Sequence, residues 1–406
     1  MSYDLQVFGT APLDVDEVRA IAAVLSGSRV VGDDASGGLV VERKTHDGFD
    51  YAFNVDGPLR VDQEDLPSAV VTAATGIRWT YQLTVEGSGG PAIELARRFA
   101  RELAQRSDGV VYDPQEDAVV WPRGPKRKFK PEPARKTDLV QFEWFVRRED
   151  VASDLAALLF DLLRSYMPEA LPRRFGGFEP LQGRLEEAGR EGWIAAWHAE
   201  AMLLFWKAKP PCLGGSMAGL GDDLIGAQHA GPHPVGSIRL SFDRRAFLDT
   251  GWREDAVELF AVLAERLPAF FAHADVSRNV GYSRGNVSYE ADTVTNPGLV
   301  VRNVWMGLPS FPVWLAWFGS LYRSLIENAV PSHLAKAREA GLLVRSSEMP
   351  DGQAPTDTAG RLWPFSRGGA QDETHLGLPP QLVLRATGEP PGAWQRDRAD
   401  FVPEGL

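Results

Sequence analysis

Two kinds of spacing organise the first 122 residues. Apolar and polar positions alternate through Tyr3–Phe8 and again through Trp79–Glu86, the two-residue period of a strand with one buried face. Leu39–Arg43 and Tyr51–Val55 read as two more short strands, split by the turn-rich run from His46 to Asp50. Helical spacing takes over at Asp14–Leu25, where Val18, Ile21, Ala22 and Leu25 share a face and Asp14 is placed to cap. It returns at Ala92–Gln105, with a broad stripe from Ile93, Leu95, Ala96, Phe99, Ala100 and Leu103. Two brief apolar runs around Asp113-Pro114-Gln115-Glu116-Asp117 predict a hairpin. The order strand, helix, strands, helix, strand predicts an α+β unit: a ferredoxin-like or related split sheet, mostly antiparallel, with helices on one face.

The second half repeats this grammar without repeating the sequence. Leu139–Val146 (LVQFEWFV) predicts a strand, and Asp150–Tyr166 an amphipathic helix closed by Pro168. Ser237–Phe242 predicts a strand, Ala201–Lys207 either a strand or the extension of a helix running through Trp193 and Trp197, and Lys209–Gly236 between them reads as one long loop. Arg253–Phe271 predicts a helix that Pro268 kinks or ends, and Tyr282–Tyr289 an edge strand. Trp305–Ile326 is the most apolar stretch. Phe311, Trp314, Trp317, Phe318, Leu321 and Leu325 recur at helical spacing, so an aromatic helix starting near Ser310 is expected, with Pro312 in its first turn and Pro331 beyond its end. His333–Ala340 predicts a short helix capped by Ser332 and closed by Gly341, and Leu342–Arg345 a strand. The tail from Glu348 is rich in Pro, Gly, Asp and Thr, with Leu382–Arg385 its best strand signal.

Composition sharpens this picture in three places. First, the net charge of −12 hides a local reversal, because Arg123–Lys136 carries seven cations against Glu132. That stretch is net +6, so the remainder carries −18. With three prolines and no periodicity it reads as a linker. The domains expected are 1–122, a basic linker over 123–137, a second α+β domain over 138–346, and a tail over 347–406. Second, an acidic balance disfavours a general nucleic-acid or anionic-membrane binder and suits a basic protein partner. Third, a single cysteine, Cys212, rules out an internal disulfide framework and points to a reducing, cytoplasmic setting. The first residues carry acids early and lack a basic region followed by an apolar run, so no signal peptide is expected. The uncharged run before Arg323 is broken by Asn303, Gly307, Pro309 and Pro312, so no membrane span is expected either.

Few residues suggest chemistry. Asp222, Asp223, His229 and His233 are metal-ligand types on one loop, and a metal-dependent hydrolase built on Asp222, His229 and His233 is one alternative. Gly231, Pro232 and Pro234 deny that loop the helix that would fix the histidine pair. Cys212 lies among prolines and glycines, not at a helix start, so a nucleophile served by His198 or His229 is disfavoured against an inert thiol. Asp243-Arg244-Arg245 reads as a solvated strand end. The pairs Trp193/Trp197 and Trp314/Trp317 read as core packing before they read as a stacking platform. No phosphate loop, HExxH or G-x-S-x-G elbow is present, and neither a metal nor another cofactor is expected. The polar-aromatic segment Tyr282, Arg284, Asn286, Tyr289 has the residue types of a binding edge.

Two stretches carry a resemblance. One runs from Val235-Gly236-Ser237-Ile238 to Phe242-Asp243 and on to Pro268, Phe270 and Phe271. The other is Gly307-Leu308-Pro309 leading into Trp314-Leu315-Ala316-Trp317-Phe318-Gly319 and Tyr322. Together they resemble bacterial immunity proteins of the kind paired with restriction-endonuclease-like toxins in polymorphic and type VI secretion systems, over residues 139–346. The shared motifs are packing motifs. The resemblance implies a non-enzymatic binder that blocks a cognate protein toxin, with no catalytic residues to carry over. The expected contacts are Asp222, Asp223, Tyr282, Arg284 and Tyr289; the other alternative is an adaptor or structural protein of a defence or secretion apparatus.

Overall fold

The computed structural model describes residues 2–350 apart from 26, 34–37, 88, 130–133, 201–202, 221–233, 284–285, 296–297, 302–303, 306–307, 310–312, 321, 324–326 and 328–329. The chain divides into two compact units, Met1–Arg135 with Tyr282–Asn286, and Lys136–Gly281 with the chain from Val287 on.

The first unit comprises β1 (Ser2–Gly9), α1 (Val15–Val24), β2 (Ser28–Asp33), β3 (Leu39–Thr45), β4 (Gly48–Arg60), α2 (Ser68–Ala73), β5 (Trp79–Glu86), α3 (Gly90–Arg106), β6 (Val110–Asp113), β7 (Ala118–Val120) and β8 (Lys126–Lys128). Its eight strands form an antiparallel sheet in the order β2-β3-β4-β5-β1-β6-β7-β8. α1 begins where the sequence places it. Asp14 accepts from the Glu17 amide (2.8 Å) while the Glu17 carboxylate accepts from the Asp14 amide (2.9 Å), a reciprocal box that satisfies two amides the helix leaves open. The apolar stripes of α1 and α3 pack together on Leu5, Val7, Val41, Phe53 and Leu83 of one sheet face. Short α2 covers Phe8, Val110 and Val119, a smaller cluster. The basic stretch is not without structure, since Lys126–Lys128 forms an edge strand beside β7.

The second unit comprises β9 (Arg135–Arg147), α4 (Leu155–Tyr166), β10 (Arg174–Gly176), β11 (Gly183–Arg184), α5 (Leu185–Ala199), β12 (Leu203–Lys207), β13 (Cys212–Ala218), β14 (Val235–Asp243), α6 (Thr250–Arg266), β15 (Phe271–Ser283), β16 (Asn286–Ser288), β17 (Val300–Val301), β18 (Val304–Trp305), β19 (Leu315–Gly319), β20 (Ala335–Ala337) and β21 (Gly341–Arg345). Ten strands run in the order β11-β10-β12-β13-β14-β9-β15-β19-β21-β20, with β16 paired to β15. One face is covered by the three helices. Val140, Phe142, Trp144 and Val146 of β9 point into this layer, with Ile238, Leu240 and Phe242 of β14 and Leu159, Trp193 and Phe260 of the helices. The α+β class holds for both units.

Several predicted elements differ. The stretch expected to be an aromatic helix contains β19: Leu315 and Trp317 enter the helix-covered core, while Ala316 and Phe318 enter a second aromatic core on the opposite face. A strand buried on both faces shows an unbroken apolar run, so its period cannot be told from that of a buried helix. His333–Ala340 is likewise no helix, since Ala335–Ala337 pairs with β21, and Gly341 starts that strand. The long loop expected after Lys209 contains β13, whose glycines and Ser216 hide a strand signal. The helix expected to reach Phe271 stops at Arg266, and Phe271 opens the long β15. Arg174–Gly176, Gly183–Arg184, β2 and α2 had no counterpart in the pattern. Leu382–Arg385 lies outside the described residues.

One ion-pair network ties the β20–β21 hairpin to α6. The Arg338 guanidinium donates to both Glu258 oxygens (2.9 Å each) and to Glu265 (3.0 Å). Arg338 holds the Glu258 carboxyl below the usual carboxylate range. A depressed carboxyl adds stability that is present above the unfolded carboxyl's range and is lost as pH falls through the lower folded value. Arg338→Met is therefore expected to lower the melting temperature at neutral pH. The gap to wild type should narrow as the pH drops below about 4, where an ordinary glutamate takes its proton. A gap independent of pH in paired thermal melts would remove the electrostatic reading.

Candidate partner-binding face

The helix-free face of the larger sheet is where polar chemistry collects. Strand alternation sends the odd-numbered residues of β9 there (Gln141, Glu143, Phe145), with Ser237, Arg239 and Ser241 of β14 and Phe271, His273, Asp275 and Ser277 of β15. Arg239 stands opposite Glu143 in register, and Ser216 and then Phe205 continue that row across β13 and β12. The face grades from one end to the other. Toward β19 it is closed by the second aromatic core, with Phe145, Phe271, Trp305, Phe318 and Tyr322. Toward β12 it is open, and Phe205 is 36% exposed.

Between these ends lies a charged row. The Arg239 Nη2 donates to both Glu143 oxygens (3.0 and 2.9 Å). The Glu143 side chain is only 10% exposed, whereas that of Arg239 is 42% exposed. Burial works against the guanidinium's charge, but the field and hydrogen bonds of Glu143, helped by Tyr289 and Asp275, outweigh it and raise its proton affinity. Behind the pair, His273 lies with Nε2 3.8 Å from Glu143 and Nδ1 3.9 Å from Asp275. Its ring stacks on Phe145 (5.8 Å between centroids, 14° between planes), which holds the imidazole between the two carboxylates. Ser277 donates to the Gln141 side-chain oxygen (3.1 Å), and the Gln141 amide nitrogen donates to the Tyr289 hydroxyl (3.0 Å). Tyr289 itself is 56% exposed. Phe205, Arg239 and Tyr289 are thus exposed groups whose supports are rigid strands and directed hydrogen bonds.

Of the residues singled out in the sequence, Tyr289 lies on this face. Tyr282 is half-buried at the end of β15 and clusters with the first unit, whereas Tyr289 belongs to the second. Asp222, Asp223, His229, His233 and Arg284 lie outside the described residues. Among the described residues, no group of three or more His, Cys, Asp or Glu side chains is placed to hold a metal ion. Trp193, Trp197, Trp314 and Trp317 are all buried in the core, as their spacing suggested, although the last two belong to β19 and its lead-in. Sequence reasoning missed Arg239, Glu143, His273 and Asp275. The first two were legible as lone charges inside apolar strands (SIRLSF, LVQFEWFV). The last two were hidden because the pattern extended the helix to Phe271 and assigned no element to the residues just beyond it.

Cys212 is fully buried in β13, and burial pushes its thiol up to about 12. A thiol in that state is no nucleophile at neutral pH. The folded protein is expected to leave Ellman's reagent unreacted over an hour and to release one equivalent of thiolate once unfolded in guanidinium. Rapid labelling of the native chain would show that the site opens. A groove of about 300 Å³ elsewhere in the unit is lined by Arg147, Asp150, Glu265, Phe270 and Ser320. Its arginine is already paired with Glu149 (3.0 Å) and Asp150 (2.7 Å).

No protein-family profile matches the sequence, and no curated protein matches it. Among solved structures, the chain is similar to the type VI secretion system (T6SS) protein PA0821 of Pseudomonas aeruginosa, at 13% identity and a TM-score of 0.40, over 67% of this chain and 89% of that one. No helix among the described residues is long and apolar enough to cross a membrane.

Proposed function

We propose that this chain is a non-enzymatic immunity protein of the cytoplasm that binds a cognate bacterial toxin of a polymorphic or type VI secretion system and blocks its active site. The observation that carries the reading is the uncovered part of the larger sheet's helix-free face, where Phe205 and Arg239 stand exposed on central strands and Tyr289 stands exposed beside them on the Gln141 amide. Aromatic and arginine side chains on a rigid support are the residue types that dominate protein–protein binding energy. The motif resemblance over residues 139–346 supports the same reading, and nearly all of that span falls in the second unit. The acidic balance of −12 suits a basic, nuclease-type toxin, which it would draw in at long range before contact.

The test is capture followed by protection. The tagged full chain is used as bait in a lysate of the organism that encodes it, and bound proteins are identified by mass spectrometry. One stoichiometric partner carrying a toxin domain is expected, and co-expression of this chain should restore growth to cells making that toxin. No partner, together with a divalent metal retained on the purified chain, would overturn the reading and favour a metal site in the loop holding Asp222, His229 and His233. A stable large assembly without protection would favour a structural adaptor.

A further inference from the structure

The open face carries two side chains with hydrogen-bond donors that the fold leaves unspent, and their chemistry narrows what binds there. Arg239 uses only Nη2 on Glu143; among the described residues its Nε and Nη1 donate to nothing. The Tyr289 hydroxyl accepts from Gln141, so its own proton remains to be given, and no acceptor among the described residues takes it. Both side chains are substantially exposed, and their anchors are neighbours on one face of β9: Gln141, which holds the Tyr289 hydroxyl, lies two residues from Glu143, which stands opposite Arg239. Each is held from behind, Arg239 by a carboxylate and Tyr289 by an amide. Neither has to give up much conformational freedom when a ligand arrives.

Resting on the immunity reading above, we propose that Arg239 and Tyr289 form a preorganised donor pair that grips one carboxylate, an Asp or Glu side chain of the bound toxin. Two donors with no free acceptor between them ask for an acceptor-only group, and an ionised carboxylate is the protein side chain of that kind. A phosphate fits less well. Glu143 touches the guanidinium and Asp275 lies near it, and two fixed carboxylates repel a dianion more than a single negative charge. Phe205, two strands along the same register row, extends the site with apolar surface, as a protein partner would use. The chain's long-range field and this local site do different work: the field attracts a basic partner, and the donor pair fixes its register.

The experiment uses the captured toxin and the full chain, with affinity read by calorimetry. Tyr289→Phe keeps the ring and removes only the donor; it is expected to weaken binding about 10-fold. Arg239→Gln is expected to weaken it by about 30-fold or more, and the double variant by less than the product of the two, because both losses fall on one carboxylate. Changing that Asp or Glu of the toxin to its amide should abolish most of the effect of Tyr289→Phe. Tyr289→Phe removes no buried charge, so it tests the site even if Arg239→Gln folds poorly. Both variants binding within twofold of wild type would overturn this proposal and leave the immunity reading standing. Failure of wild type to capture any partner would overturn both. If 10 mM inorganic phosphate competed with the toxin on wild type but not on Tyr289→Phe, the site would be a phosphate site and the carboxylate assignment wrong.

Discussion

Phe142→Ala is expected to cost about 3–5 kcal/mol, the range for emptying a well-packed aromatic site in a core. Phe142 sits mid-way along β9 with no exposed surface, and five rings surround it: Trp144, Phe242, Phe247, Phe260 and Trp314, at centroid separations of 5.0 to 6.2 Å. Those rings come from two strands, one helix, a short helical turn and the lead-in to β19. None can move into the vacated volume without breaking its own contacts, among them the Trp144 hydrogen bond to the Phe260 carbonyl (2.9 Å). Phe142→Leu keeps most of the volume and should cost about 1.5 kcal/mol or less. Urea unfolding followed by tryptophan fluorescence distinguishes the two. Equal and small losses would mean that the cluster repacks, and that β9 is not the rigid support the candidate face requires.

The second large effect is an asymmetry between single and double variants at the charged row. Arg239→Met is expected to cost about 2–3 kcal/mol, below the range for breaking a fully buried pair because the arginine is partly solvated. The loss comes from Glu143, which is left with little solvent and with Asp275 nearby on the neighbouring strand. Replacing Glu143 by Gln in the same molecule removes the stranded charge, so the double variant Glu143→Gln/Arg239→Met should recover most of that loss. A thermodynamic cycle built from the four proteins gives the coupling directly. If Arg239→Met alone were neutral, water would be screening the pair, and the guanidinium would not be held for a partner in the way proposed. The stability cycle and the affinity measurements bear on different atoms: the first reads the bond to Glu143, the second the donors pointing away from it.

How far the site was readable depends on what kind of information each residue carries. Local chemistry was legible. The Asp14 capping box, α3, the Trp79–Glu86 strand, the hairpin around Asp117 and the strand Leu139–Val146 are all encoded by spacing and turn residues within a dozen positions. Tyr289 was legible too, as an exposed aromatic type in a polar context. The α+β class came from the order of these elements, since strands and helices that each bury one face have few ways to do so together.

Tertiary structure alone decided the rest. Whether Trp314–Gly319 is helix or strand depends on a second layer of aromatic side chains covering the far face, and nothing local announces that layer. The partnership of Glu143 with Arg239 spans 96 positions and exists because β9 and β14 are neighbours in register. His273 and Asp275 join them only because β15 lies on the other side of β9. A charge alone in a strand signals by its residue type that it needs a partner. The identity of that partner is set by strand order, which is a property of the whole sheet and of no single segment.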